Sequence, residues 1–514
     1  MNDTEGEQPT NRRNSALGIL TSNAIATFVV SVQALVLMPF YLRFVEPKTY
    51  GAWIASGDLF FYLNALEFGI PNLMIQQIGA SVARRDLPTA GRCTASGLAI
   101  LSGAATLLLV LCSNLADRVP GWFHVVGDDA VILARCFLFG GIAASLSLIN
   151  QAFVALGRGL QDTRYQNVSA VVSSLLGFGA AFVSILHGAG LYSIPVSLMV
   201  RALCSAAFSF TFWFRRVPVL VRSNFVPDRR TLKAFLQLSP LTALGSFSYT
   251  TTTQSENLLV GLIVGTDAAI ILSLTRRGAE VLRSLIDMII HASFGAFSHL
   301  VVSPEKHRAV AVFDELTGLR LSVAVIAAAG FMALNEMFVR TWVGSSYYGG
   351  WTVTALIALN LLFSGQSYLV NSLYRATGHI INGSLLLIGE ALFRLPMAAA
   401  GTALFGLAGL QAAAVLTSIG SLAAGRLFCR RAWQKLKIES SKKRGPCFVP
   451  HASVFALGLA CCVVAGRGEG GLGISILTRT LLLMACIYLV YTDPFLRDVL
   501  ASLAPRMRMR LRIL

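Results

Sequence analysis

Apolar runs of about 18 to 28 residues follow one another along the chain, each long enough to cross a hydrocarbon core of about 30 Å. Backbone groups in lipid must be satisfied within the segment, so such runs form helices. They begin near Ser15, Tyr50, Thr94, Ala130, Val168, Tyr192, Leu238, Ala268, Leu319, Trp351, Gly383, Thr402, His451 and Ile474. With 55% hydrophobic and only 13% charged residues, the 514-residue chain is no string of soluble domains. The expected fold is an all-α integral membrane protein of about fourteen transmembrane helices.

Charge sets the orientation. With the N-terminus inside, thirty Lys and Arg fall in inside segments, Arg320 among them, against six outside: Arg43, Lys48, Arg118, Arg340, Arg467 and Arg479. Basic residues collect on the cytoplasmic side, so both termini are expected there. The net charge of +17 is spread over many short loops. That distribution suits orientation and anionic lipid headgroups rather than nucleic acid. The polar start through Asn14 leads into a run too long for a signal-peptide core, so the first span is expected to stay in the membrane. Nine cysteines without a CxxC spacing predict neither disulfides nor a metal site.

Two basic segments divide the spans into groups of six, six and two. The expected organisation is a tail (1–14), a six-helix bundle (15–213), a basic linker (214–236), a second six-helix bundle (237–428), a second basic linker (429–450), two additional helices (451–492) and a basic tail (493–514). Landmarks repeat at nearly constant offsets: Asn150 and Asn371 by 221 residues, Trp122 and Trp342 by 220, Gly190 and Gly409 by 219. Halves with an even number of spans run in the same direction. They would be parallel repeats about a pseudo-two-fold axis along the membrane normal, an arrangement that transporters use.

Charges at mid-span are costly and face a cavity or a partner. The eighth span carries Arg276, Glu280, Arg283, Asp287 and His291 on one helix face, flanked by Arg277 and Ser284. Two readings stay open. The stripe is either a self-neutralised seam of i,i+4 pairs, or the lining of a watery cavity whose extra arginine offers guanidinium donors to an anion such as phosphate. The run Tyr249 to Asn257 is strongly polar for the seventh span and holds Gln254 and Glu256. Glu256 either carries a proton or cation, or neutralises Arg276 or Arg283. Asp58, Glu67, Arg135 and Arg201 supply the charges of the first half, and Glu390 with Arg394 suggests a local salt bridge. Glu256, Glu280, Asp287, His291, Asp58 and Glu67 are the ion-coupling candidates. No nucleotide-binding loop, HExxH or GxSxG motif is present, so neither an enzyme nor a cofactor is expected.

Specific strings then match a known family. Pro39-Phe40-Tyr41-Leu42, Tyr50-Gly51-Ala52-Trp53, Tyr62-Leu63 and Glu67-Phe68-Gly69-Ile70 resemble the first two spans of bacterial polysaccharide transporters. These belong to the multidrug/oligosaccharidyl-lipid/polysaccharide (MOP) exporter superfamily and include O-antigen unit flippases. Glu256-Asn257-Leu258-Leu259-Val260-Gly261 with Gly265, Trp342-Val343-Gly344, Ala376-Thr377-Gly378, Gly406 and Gly409 extend the resemblance over roughly 15–430. Glu256 stands where Asp is usual, a tyrosine is missing near Ile271 and Leu272, and a proline is replaced around Gly295 and Ala296.

The resemblance implies a flippase moving an undecaprenyl-pyrophosphate-linked oligosaccharide from the inner to the outer leaflet of the bacterial inner membrane by alternating access. Its implied partners are that lipid-linked substrate, membrane lipids, and polysaccharide polymerase and ligase machinery. Arg276, Arg277, Arg283 and Arg201 would meet the pyrophosphate, and Asn150, Asn371, Gln254 and Thr250 to Thr253 the sugars. The alternatives are a cation-coupled multidrug exporter of the same superfamily and a membrane-embedded glycan transferase or polymerase.

Overall fold

The computed structural model describes residues 29, 32–33, 35–162, 164–302, 308–435, 448–467 and 472–492. The expected tails and most of the second linker lie outside the described residues, as does the start of the first span at Ser15. Among the described residues the chain is all-α, without strands. It divides into two compact units, the first running to Ile270 and the second from Ile271.

The first unit contains α1 (Leu35–Phe44), α2 (Pro47–Asn64), α3 (Ile70–Ala83), α4 (Leu87–Ala116), α5 (Val119–Trp122), α6 (Asp128–Gly159), α7 (Arg164–Leu186), α8 (Ser193–Arg215), α9 (Val219–Ser223), α10 (Arg229–Gln254) and α11 (Glu256–Ile263). It takes in the seventh span, which hydropathy groups with the later helices. α4 and α8 pack on α6, and α7 packs on α8. α12 (Thr266–Val302) starts in the first unit and runs into the second. There follow α13 (Ala309–Trp342), α14 (Trp351–Ala376), α15 (Ile380–Lys435), α16 (Phe448–Arg467) and α17 (Leu472–Thr492).

Seven described helices are each long and apolar enough to cross a membrane. Other expected spans are broken or carry charge, and α15 folds two expected spans into one element, so fewer than the expected fourteen stand out as single long apolar helices among the described residues. The second span is α2, a 3-10 turn at Ala65–Glu67, and α3. Phe68 and Gly69 between them take φ of 52° and 68°, a left-handed break before Pro71. The seventh span breaks at Ser255, between α10 and α11. Gly406 (φ 59°, ψ −139°) turns α15 a few residues beyond the expected start at Thr402. A Cβ on Gly401 would lie 2.5 Å from the Gly409 carbonyl, so bare backbone is needed where the two arms of this turn meet.

The first linker is docked rather than loose. Its helix α9 crosses α4 at Gly91, where a Cβ would collide with the Val221 carbonyl. Ser96 Oγ accepts the Asp228 N–H at 2.9 Å, and the Asp228 carboxylate caps α10 by accepting the Thr231 N–H at 3.0 Å. In the second unit α16 packs on α13, with His451 Nε2 2.7 Å from Ser322 Oγ and Gly458 against the Ala329 backbone. The two final helices therefore build on the second unit's core.

Candidate functional site

Polar chemistry collects at two places, one in each unit. The first is the contact of α2 with α11. Gly51, Ala55 and Asp58 recur on one face of α2. A Cβ on Gly51 would sit 2.5 Å from the Thr266 carbonyl, and one on Gly261 would sit 2.5 Å from the Ala55 Cβ. The helices thus approach at glycine on either side. That approach places the Asp58 carboxylate, 2% exposed, at the N-terminus of α11.

Asp58 Oδ2 accepts the Leu258 N–H at 2.9 Å and Oδ1 accepts from Asn257 Nδ2 at 3.2 Å. The first N–H groups of a helix have no partner in their own ladder, and an anion there also meets the positive end of the helix dipole. Asp58 therefore does for α11 what a local cap residue does elsewhere. Tyr62, one turn on, lies close to Thr251 and Ser255 beside the break. Glu256 is buried in the first turn of α11.

The second place is α12. Arg276 Nε lies 2.8 Å from Glu280 Oε1, and Arg277 Nη1 2.8 Å from Glu280 Oε2. Arg283 Nε lies 3.6 Å from Asp287 Oδ2. The pairs foreseen for a seam are formed, yet the side chains of Glu280 and Arg283 stay 37% and 27% exposed. The stripe is both paired and accessible. His291 lies on α12, but its side chain falls outside the described residues.

Arg320 overturns one expectation. Hydropathy assigns it to an inside loop before a span starting near Leu319, whereas the helix begins at Ala309 and Arg320 is wholly buried within it. Its Nη2 donates to Asp287 Oδ1 at 3.2 Å. The guanidinium lies over Gly365 of α14, where any Cβ would overlap Nη2. At 34 residues α13 is longer than the roughly 20 needed to span, so it reaches back past Arg320 to Ala309.

On α15, Arg394 Nη1 lies 3.7 Å from Glu390 Oε1 and 3.3 Å from Ser418 Oγ, giving the local pair its spacing suggests. Glu390 also feels the charge of Arg283. Five guanidiniums (Arg276, Arg277, Arg283, Arg320, Arg394) thus meet three carboxylates (Glu280, Asp287, Glu390) among the described residues, and Glu280 and Asp287 are each shared by two arginines.

The other sequence-derived residues make contacts of their own within their units. Asn150 donates to Ser205 Oγ at 2.7 Å and Asn371 to the Gly383 carbonyl at 3.2 Å. Both are buried at contacts between helices. The stem of Arg201 crosses α7 at Gly177, and Glu67 on its 3-10 turn lies close to Gln151. Gln254 ends α10, partly buried.

Residues 20–301, more than half of the chain, match the polysaccharide biosynthesis protein family. The chain belongs to that family. No curated protein sequence matches this family member. Among solved structures, its fold is similar to a MOP superfamily transporter from Pyrococcus furiosus described by the reverse polarity of its binding pocket. The identity is 15% and the TM-score 0.62, over 85% of this chain and all of that one. An inward-facing multidrug resistance MATE family transporter of the MOP superfamily matches at 15% identity and TM-score 0.59, over 82% of this chain and 96% of that one. Its outward-facing counterpart matches at 15% and 0.61, over 85% and 100%. This family member therefore has the all-α, multi-pass fold of MOP transporters.

Proposed function

We propose that this protein flips a lipid-linked oligosaccharide, carried on undecaprenyl pyrophosphate, from the inner to the outer leaflet of a bacterial inner membrane for surface polysaccharide synthesis. Both termini would be cytoplasmic, and movement would follow alternating access without chemical change to the cargo. The observation that carries this reading is the arginine cluster on α12, where Arg276, Arg277 and Arg283 lie along one helix and Arg283 stays partly accessible. A pyrophosphate is a dianionic acceptor suited to such donors. An organic cation would be repelled there, which disfavours a multidrug exporter. The description of the Pyrococcus furiosus neighbour supports pocket polarity as a variable property on this fold.

Asp58 and Glu256, two buried carboxylates at one helix end, would serve as the site through which a proton or other cation drives the cycle. Polysaccharide polymerase and ligase machinery would consume the flipped product. The test uses purified protein in liposomes and a fluorescent lipid-linked oligosaccharide. Transfer between leaflets at unchanged mass is the expected result, whereas a change of mass would indicate a transferase and no transfer would remove the proposal.

A further inference from the structure

Asp287 is shared between two arginines on unequal terms. Arg320 Nη2 hydrogen-bonds its Oδ1 at 3.2 Å, while Arg283 Nε stands 3.6 Å from Oδ2. Arg320 is fully buried, and its Nε and Nη1 make no hydrogen bond among the described residues. A buried guanidinium needs a counter-charge, and Asp287 supplies it. Gly365 leaves the room that fixes this geometry, because any side chain there would displace the guanidinium. Arg394 holds Glu390 in the same manner on the neighbouring α15. The two buried arginines thus engage Asp287, the carboxylate paired with Arg283, and Glu390, which feels the charge of Arg283.

We propose that Arg320 is a positioning residue for anion recognition: by engaging Asp287 it keeps the accessible Arg283 from being neutralised and leaves that guanidinium for a pyrophosphate headgroup. The inference rests on the flippase reading and adds to it the residue that sets the strength of the anion site. Without Arg320, Asp287 would have Arg283 as its partner, and the trio would change from a net charge of +1 to neutral. The remaining groups facing Arg283 do not compensate, since Glu390 already meets Arg394 and Glu280 meets Arg276 and Arg277.

The test measures binding to the full chain in nanodiscs of farnesyl pyrophosphate, with farnesol as the uncharged control. A charge-assisted contact of the usual size predicts that Arg320→Met weakens the pyrophosphate probe by about tenfold and leaves farnesol unchanged. Arg320→Lys retains most of the binding. The decisive variant is Arg320→Met with Asp287→Asn, which removes both charges and leaves Arg283 without the Asp287 carboxylate as its partner. It is expected to bind within about threefold of the wild type. If the double variant melts like the wild type but binds as weakly as Arg320→Met, Arg320 acts through packing and the inference is overturned.

Should Arg320→Met not fold, Asp287→Asn alone decides. Tighter pyrophosphate binding supports the inference, and unchanged or weaker binding overturns it. A wild-type chain that binds both probes alike removes the anionic headgroup itself, and the flippase reading with it. A wild-type preference for pyrophosphate that Arg320→Met leaves intact overturns only the role of Arg320.

Discussion

Asp58 accepts the Leu258 N–H at 2.9 Å across 200 residues of sequence, closing the N-terminus of a helix that starts in mid-span. Lipid offers no replacement acceptor, so the carboxylate stabilises a break in the backbone that would otherwise leave donors unmet. The acidic residue and the Leu-Leu-Val-Gly string that follows Glu256 are thereby parts of one contact.

Replacing Asp58 by Ala removes the acceptor of two donors and should destabilise the protein by about 2 kcal/mol, the size of a charge-assisted hydrogen bond. Asp58→Asn keeps one acceptor and should lose less. Melting curves in detergent check the order; equal melting of Asp58→Ala and wild type would show that the cap carries no stability.

Gly51→Leu should cost about 1–3 kcal/mol by overpacking, because its Cβ would already lie 2.5 Å from the Thr266 carbonyl. Gly57→Ala on the same helix meets nothing within 4 Å and should be neutral or stabilising through helix propensity. The pair separates close approach from a general intolerance of α2, and similar losses at both sites would refute the close approach.

Arg283→Ala should abolish transfer of a lipid-linked oligosaccharide between leaflets while membrane abundance stays near normal. The side chain is 27% exposed and its loss leaves Asp287 still bonded to Arg320. Abundance by immunoblot and transfer in vesicles are read together. A fall in both would mark the residue as structural.

The caps outside the membrane predict a pH dependence. Hydrogen bonds from the Thr89 hydroxyl and N–H hold the Asp86 carboxyl below the usual carboxylate range, and the Thr231 N–H and hydroxyl do the same for Asp228. A carboxylate whose pKa is lowered on folding contributes stability above its unfolded value of about 3.9, and that stability is lost as pH falls through the folded value. Asp228→Asn, which keeps the cap without the charge, should flatten the decline in melting temperature below about pH 4. An unaltered decline would show that Asp228 makes no part of it.

Much of the fold was legible because lipid imposes length and apolarity on every spanning helix, as in α4, α6 and α14. The breaks at Phe68 and Ser255 were not, since a polar stretch reads alike whether it is helix or interruption. The stripe from Arg276 to Asp287 showed itself through helical spacing, and its i,i+4 pairs formed as the spacing allowed. Arg320 escaped because its partner is 33 residues away on another helix, beyond the reach of any periodicity. Asn150 and Asn371 were visible as landmarks, but the same amide suits a helix contact or a sugar, and only the coordinates place them between helices.

The mooring of α10 and α11 has a mechanical meaning. At one end Ser96 grips the backbone of Asp228, and at the other Asp58 grips that of Leu258. A rod clamped at both tips against the same body bows instead of sliding. Its bending must concentrate where the ladder of hydrogen bonds is already interrupted, at Pro240 and Ser255, which turns two local irregularities into the compliant joints of an otherwise stiff lever.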